Sequence, residues 1–574
     1  MKIKYIFSAA AVCLLASCSD FLDIKPKGVI TNEEINNPQL LDNMVLSAYA
    51  IWVTGDDINS SFSLVNFDLR SDDCYKGGKG PEDGDVFHSL EVCYGTSTED
   101  WNINGMWERL YKNITRANSA LKSLSGVSDE VATKKVRTAE MRFLRGHAHF
   151  LLKELFKNIV IVNNENLTDE EYSNLSNFTF TNDEQWQKII EDFQYAYENL
   201  PEKQKEVGRP SKAAAAAYLA KAYLYKAYRQ DDATSNRITE INVKDLEEVI
   251  KYTNQQIYTD GGFDLEDDFS NNFIPEMENG KESLWAYQYS MNDGTLSGQL
   301  NFGKGLSAPW FKINAHDFHK PSQNLINAYR TDASGHPMFD DYNKQNYDAM
   351  TDNVDPRLFH TASLPGFPFK YNPNYIVKAT SDWSRSDGQY GYCNSLKECV
   401  DFDSEYLKVY DNVWATPMNH IVLRYADVLL MRAEALIQSG GNINEAMSLI
   451  NTIRLRAAAS VSRLKDYKRL YGASMKCSPY SGSFSKEEAM EILKWERRLE
   501  FACEGSRFFD LVRWGEAEQV INKYYVEEKA VSSLYSHAHF TANKNEYLPI
   551  PNQRIMEAAG KYKQNVGWAT DIKK

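Results

Sequence analysis

IVLRYADVLLMRAEALIQSGGNINEAMSLINTIRLRAA, residues 421–458, decides the fold class. Val422, Ala426, Leu429, Ala433 and Leu436 recur at steps of four and three, so a helix places them on one face. Gly440-Gly441 stops that helix, because glycine takes the left-handed conformation of a helix end at no steric cost. Asn442, with Glu445 three residues on, reads as the cap of a second helix that turns Ala446, Leu449, Ile450 and Ile453 inward. So short a turn makes the two helices antiparallel, and Ala426, Ala433 and Ala446 let their backbones approach closely. The unit has about the length of a tetratricopeptide repeat. The expectation is a mostly α protein built on a scaffold of such hairpins.

Outward from this unit, the same periodicity predicts helices over Met106–Leu124 and Val131–Phe156, then over Asp183–Leu200 and Ser211–Arg229. Further helices are expected over Lys244–Tyr258, Lys486–Glu504 and Ser506–Tyr524, which makes about four hairpins. Between them, residues 261–419 lose helical periodicity and fill with Gly, Pro, Asn, Asp, Tyr and Trp, as in PWFKINAHDFHKPSQ and SDWSRSDGQYGYC. A segment so long is not one structureless loop in a compact protein. It reads as turns and short elements laid on the scaffold, with Glu282–Tyr289 the best strand candidate.

At the start, Lys2 and Lys4 precede the apolar run Ile6–Ala16, too short to span a bilayer and right for a signal peptide over residues 1–17. Leu15-Ala16-Ser17-Cys18 resembles a bacterial lipobox, which makes Cys18 the lipidation site. Losing Lys2 and Lys4 takes the formal net charge from −15 to −17. That balance argues against nucleic acid, whose phosphates call for Lys and Arg. Six cysteines remain, Cys74, Cys93, Cys393, Cys399, Cys477 and Cys503, and they are expected to be free and mostly buried, the alternative being a small loop closed by Cys393 and Cys399 in an oxidising compartment. No pair of them has zinc-ligand spacing with histidines nearby. No metal or cofactor is expected.

These segments together resemble the SusD/RagB family, the surface glycan-binding lipoproteins of Bacteroidetes. The landmarks begin with Cys18-Ser-Asp-Phe-Leu-Asp23, Trp107-x3-Tyr111-x2-Ile114-x2-Ala117-Asn118 and Ala139-Glu140-x2-Phe143-Leu144-Arg145. Gly208-Arg209-Pro210, Asp355-Pro356-Arg357-Leu358, Arg424-Tyr425-Ala426-Asp427, Glu434-Ala435 and Asn451-x2-Arg454-x-Arg456-Ala457 continue the series. Glu496-Arg497-Arg498-x-Glu500, Glu504-Gly505-x-Arg507-x2-Asp510-Leu511-x-Arg513-Trp514 and Leu548-Pro549-Ile550-Pro551 complete it. Two departures stand out: Lys-Asn-Ile-Val-Ile after Phe156, where the family often has glycine and proline, and Arg554, where an acidic residue is usual. Both are expected to lie away from the binding surface.

The resemblance implies an N-terminal region over 18–260 and a C-terminal region over 261–574, the latter holding the loop-rich insert (261–419) and helical repeats (420–524). It also implies an oligosaccharide ligand, a lipid anchor in the outer membrane and a SusC-like TonB-dependent transporter as partner. Sugars offer apolar C–H faces to aromatic rings and hydroxyls to carboxylates, amides and guanidinium groups. On that chemistry Arg70, Asp72 and Asp73, with Trp101, Asn102 and Asn104, are candidate glycan contacts, joined by Tyr287, Trp310 and Trp383. The ERR…EGxRxxDLxRW charges are read as structural ion pairs worth a few tenths of a kcal/mol each when exposed. His147 and His149 sit two apart on a helix and so face different ways. The alternatives are a glycoside hydrolase, which needs two carboxylates across a cleft, and a protein-binding repeat scaffold. No G-x-S-x-G, P-loop or HExxH motif supports an enzyme.

Overall fold

The computed structural model describes residues 38–53, 67–230, 234–294, 299–385, 388–410, 413–467, 472 and 474–569. The signal segment and Cys18 lie outside these residues.

Among the described residues six longer helices run through the first half: α1 (Pro38–Val53), α2 (Trp101–Ser125), α3 (Lys134–Phe156), α4 (Asn182–Asn199), α5 (Lys212–Ala227) and α6 (Val243–Tyr252). Five more follow the central segment: α7 (Tyr425–Gln438), α8 (Ile443–Ala459), α9 (Lys486–Phe501), α10 (Arg507–Trp514) and α11 (Ala517–Val531). Each helix from α1 to α7 packs on the next, and α7 then packs on both α8 and α9. The row therefore continues directly from α6 to α7, and residues 261–419 are looped out of it. The small residues behave as the spacing requires: Ala213 to Ala217 in α5 and Ala426 and Ala433 in α7 are all fully buried. Caps set the helix starts, with Asn442 accepting from the Glu445 N–H at 3.1 Å and Ser211 accepting from Ala214.

Three boundaries differ from expectation. Residues 420–424 are not the start of a helix but a strand, β4 (His420–Arg424), antiparallel to β2 (Ser283–Tyr287) with Ile421 opposite Ala286. The β-branched pair Ile421-Val422 suits a strand once a partner backbone is present, and that partner lies far away in sequence. The helix expected over 244–258 breaks after Tyr252, where Asn254 caps a separate short helix, Gln255–Asp260. The arm expected over 506–524 breaks at Gly515, whose φ of +74° ends α10 before α11 begins. Three plain hairpins remain (α2/α3, α4/α5, α7/α8), and the fourth has a split second arm.

The central segment carries short elements, as read. β2 is the predicted strand, and β3 (Phe318–Pro321) pairs antiparallel with β1 (Cys74–Gly77). Small apolar clusters fill it, one around Tyr329, Leu358 and Phe359 that also takes in Cys74, Leu499 and Cys503, and another around Phe369, Trp383 and Leu396. The six cysteines are free, with Cys93 and Cys393 half-buried and the others buried.

Candidate functional site

The β1–β3 pairing determines what becomes of the Asp68–Asp73 segment: it draws the segment inside. Asp68, Arg70, Asp72 and Asp73 are all buried. Asp72 accepts from Arg507 Nε at 2.9 Å, Asp73 accepts from Arg498 Nε at 2.8 Å, and Arg70 donates to the Asn545 carbonyl. Burial alone would raise the Asp72 carboxyl, yet Arg498 and Arg507 hold it well below the usual carboxylate range. Burial and then the neighbouring Asp72 push Asp73 up to about 6 against the pull of Arg498. Arg70, Asp72 and Asp73 therefore belong to the interior and not to a sugar-facing surface.

Two of the aromatic candidates are also core. Tyr287 shares a hydrogen bond with His147 Nε2 and stacks on Trp52 at 5.3 Å. Trp383 is 1% exposed and lies flat on Phe311, centroids 3.9 Å apart.

Trp101 is different. It opens α2 at 55% exposure, with the Asp100 carboxylate capping the N–H groups of Asn102 and Ile103. The helix expected from Met106 starts earlier, at Trp101, so Trp101–Asn104 form its first turn. Helical geometry sends Asn102 inward, where it is buried, and leaves Asn104 half-buried. Asn104 accepts from Arg554 Nε at 3.0 Å, and Arg554 also pairs with Glu108. The departure at Arg554 thus touches the candidate surface, contrary to the sequence reading. Near Trp101 in the chain, Tyr94 is 60% exposed and stacks on His537, centroids 5.3 Å apart.

Trp310 is half-buried, with the Arg385 guanidinium 5.5 Å from its ring centroid. Arg385 pairs with Asp83 at 2.9 Å. Asp83 ends the glycine-rich tail of the Asp68 segment, which is braced from below by Lys76: its Nζ donates to the carbonyls of Gly80 and Asp83 at 2.8 and 2.6 Å. Gly77, at φ +80°, passes so close to β3 that a Cβ would meet the Asp317 carbonyl at 2.2 Å. The short helix Asp85–Glu91 follows this loop directly, with Gly84 at φ +75° as its N-cap. Of the candidate rings, Trp101 is thus exposed and Trp310 half-buried. Sequence reasoning missed Tyr94, His537 and Arg385, since His537 comes from the far end of the chain and Arg385 was only one polar residue in a polar stretch.

The ERR…EGxR charges are structural, but buried rather than exposed. Arg357 pairs with Glu496 and Glu500, Arg424 with Glu282, Glu500 and Glu504, and Arg456 with Glu282 and Glu500. His147 sits between the hydroxyls of Tyr218 and Tyr287, while His149 accepts from the Val162 N–H at 3.1 Å. The fold also assembles what spacing hid: Cys74, Cys503 and His319 offer ligand atoms within 4.8 Å of one another. Both ring nitrogens of His319 are already bonded, to Asp68 and Glu398. Burial would lower this imidazole, but those two carboxylates raise it well above its ordinary value, so the trio has no free nitrogen lone pair for a metal.

Comparison with known proteins gives a consistent picture. Residues 281–568 match the model of the SusD family, and residues 20–224 match a model described as starch-binding, associating with outer membrane. A SusD-like protein P2 of Formosa agariphila is 25% identical over 99% of this chain and all of that one. The crystal structure of a SusD homolog from Bacteroides thetaiotaomicron superposes with a TM-score of 0.72 at 19% identity, covering 93% of this chain and 97% of that one. A surface glycan-binding protein A from Bacteroides fluxus superposes at 0.66 and 22% identity, covering 92% and 99%. With a helical row continuous from α1 to α7, the Arg/Glu core behind it and a family model matching half the chain, this protein belongs to the SusD family.

Proposed function

We propose that this protein captures an oligosaccharide at the cell surface and passes it intact to a SusC-like TonB-dependent transporter, held to the outer membrane by lipid on Cys18. The observation that carries the reading is Trp101, a tryptophan left more than half exposed on the first turn of a capped helix whose opposite face is core. An exposed indole on a rigid element gives a pyranose face a platform without the entropy cost of ordering a loop. The Tyr94–His537 stack and the Arg385–Asp83 pair beside Trp310 supply further ring surface and hydroxyl partners. The family model's starch-binding description and the glycan-binding neighbour support the ligand class.

Binding without cleavage fits the acids of the candidate segments. A glycosidase needs a carboxylic acid that keeps its proton near neutral pH. Asp72 is instead buried beside arginines that hold it ionised, and Asp73, which burial pushes up to about 6, is fully buried against Arg498, where no substrate reaches it. Among the described residues no helix is long and apolar enough to cross a membrane, so attachment would rest on the lipid. A glycan array probed with the soluble chain tests the reading: at least one oligosaccharide should bind, with no new reducing ends released. An array blank across all glycans, or steady release of reducing ends, would sink it. Cys18→Ala should move the protein from the outer-membrane fraction to the soluble one.

A further inference from the structure

A cavity of about 560 Å³ opens between β1, the turn at 388–393, residues 347–349 and the C-terminal end of α11. That is within the roughly 300–1,000 Å³ of small-molecule sites. None of the candidate glycan contacts read from sequence lines it. Its walls are rich in tyrosine, including Tyr347, Tyr390 and Tyr392, over an apolar floor that includes Phe367. The hydroxyls of Tyr347 and Tyr390 are buried and have no hydrogen-bond partner in the protein, and Tyr390 as a whole is 2% exposed. Buried hydroxyls in native structures are normally paired, so two unpaired ones on one cavity point to a ligand that supplies the partners.

Charge narrows the ligand. Among the described residues the lining holds Asp348 and Glu528 but no lysine, arginine or histidine. A uronate, sulfate or phosphate group would enter against two acids with no cation to meet it. Glu528 accepts from the Tyr75 hydroxyl at 3.0 Å. Burial, and then Glu91 and Glu527, push its carboxyl up to about 7 despite that bond. Near neutral pH such a group both donates and accepts, as sugar hydroxyls do.

We infer that this cavity is a binding site for an uncharged oligosaccharide, continuous with the Trp310 surface. The continuity rests on the 388–393 turn. Lys76, which braces the Gly77–Gly84 loop on one side, lies 5.5 Å from the Tyr390 ring centroid, and Gln389 comes within 3.7 Å of where a Cβ on Gly80 would sit. Gly388 and Gly391, at φ +81° and +73°, make the sharp turn that delivers Tyr390 between the two. The inference rests on the glycan-binding reading and names its ligand class and a second contact region.

Titration calorimetry on the soluble chain tests it, with neutral gluco-, manno-, galacto- and xylo-oligosaccharides beside oligogalacturonate and a sulfated galactan oligosaccharide. Two variants are compared: Ala349→Trp, which fills the mouth, and Tyr347→Phe, which removes one unpaired hydroxyl and leaves the ring. A neutral glycan should bind best, at least about tenfold more weakly to Ala349→Trp and several-fold more weakly to Tyr347→Phe, with unchanged thermal melts. If a neutral glycan binds the parent while both variants, folded, bind it equally well, the cavity is not a site and the surface reading survives. Preference for an acidic glycan that Ala349→Trp abolishes would overturn the ligand class. Failure of every glycan to bind the parent protein would remove the glycan reading and this inference together.

Discussion

The helical row and the loop-rich segment both fill an interior, by opposite routes. In the row, apolar stripes at helical spacing meet the next helix in sequence, and alanines let backbones close. In the segment, polar residues go inside and find distant partners: His319 bridges Asp68 and Glu398, and Arg357 meets Glu496 and Glu500. Polarity predicts exposure in neither region, since the row too buries Arg145, His147 and Glu434; what differs is that the row's apolar stripes find their partners in the next helix. A polar loop of this chain is as ready to be core as surface, and only an exposed ring such as Trp101 separates the two.

The hardest test of that contrast is Glu500→Ala. It leaves Arg357, Arg424 and Arg456 without their shared carboxylate, and breaking a buried pair costs about 3–5 kcal/mol. Denaturant titration should show the loss, and a loss under about 1 kcal/mol would make these charges surface-like. The same group has a pH signature. Burial opposes its ionisation, but Arg456, Arg424 and Arg357 depress its folded pKa. Its contribution is thus complete above the unfolded value of about 4.3 and is lost as pH falls through the folded one. Stability should drop below about pH 4, and less steeply in Glu500→Gln.

Two tryptophans sharpen the contrast next. Trp383→Ala empties a buried stack and should cost about 3–5 kcal/mol. Trp101→Ala should leave the melt almost unchanged while weakening the glycan at least tenfold, about 1.4 kcal/mol. An early melt with normal binding would put Trp101 in the core. A smaller stability cost than at Trp383 is expected in the row itself, where Ala433→Phe overpacks the α7 face at a cost of about 1–3 kcal/mol. A wild-type melt for that variant would mean the row tolerates bulk and is not closely packed there.

What the sequence made legible follows the same division. Hairpin positions, the Asn442 and Ser211 caps and the strand at 283–287 could be read because each signal lies within a few residues. The strand at 420–424 could not, because its hydrogen-bonding partner is over a hundred residues earlier. Asp72, Asp73 and Arg70 read as a sugar site because carboxylates and a guanidinium beside glycines suit hydroxyls, and nothing local announces Arg498 and Arg507. Trp101 was legible as an aromatic near a helix start, but the cap at Asp100 that makes it the first turn was overlooked. Tyr390 sat unremarked within a polar stretch, since an unpaired hydroxyl exists only once the fold has formed.

The locking of Asp68, Asp72 and Asp73 onto Gly505, Arg507 and Arg498 also sets a timetable. Asp73 and Arg498 are 425 residues apart, and Arg70 and the Asn545 carbonyl 475. An exported chain emerges from its N-terminus, so the partner of Asp73 arrives 425 residues after it. Through that interval α1 to α6 can form from neighbouring contacts, while three acids keep their water and β1 has no settled place. The chain therefore closes like a clasp: residues 68–73, made early, are among the last to become interior. A product cut short before Arg498 would keep much of its helical row and never seat its own beginning.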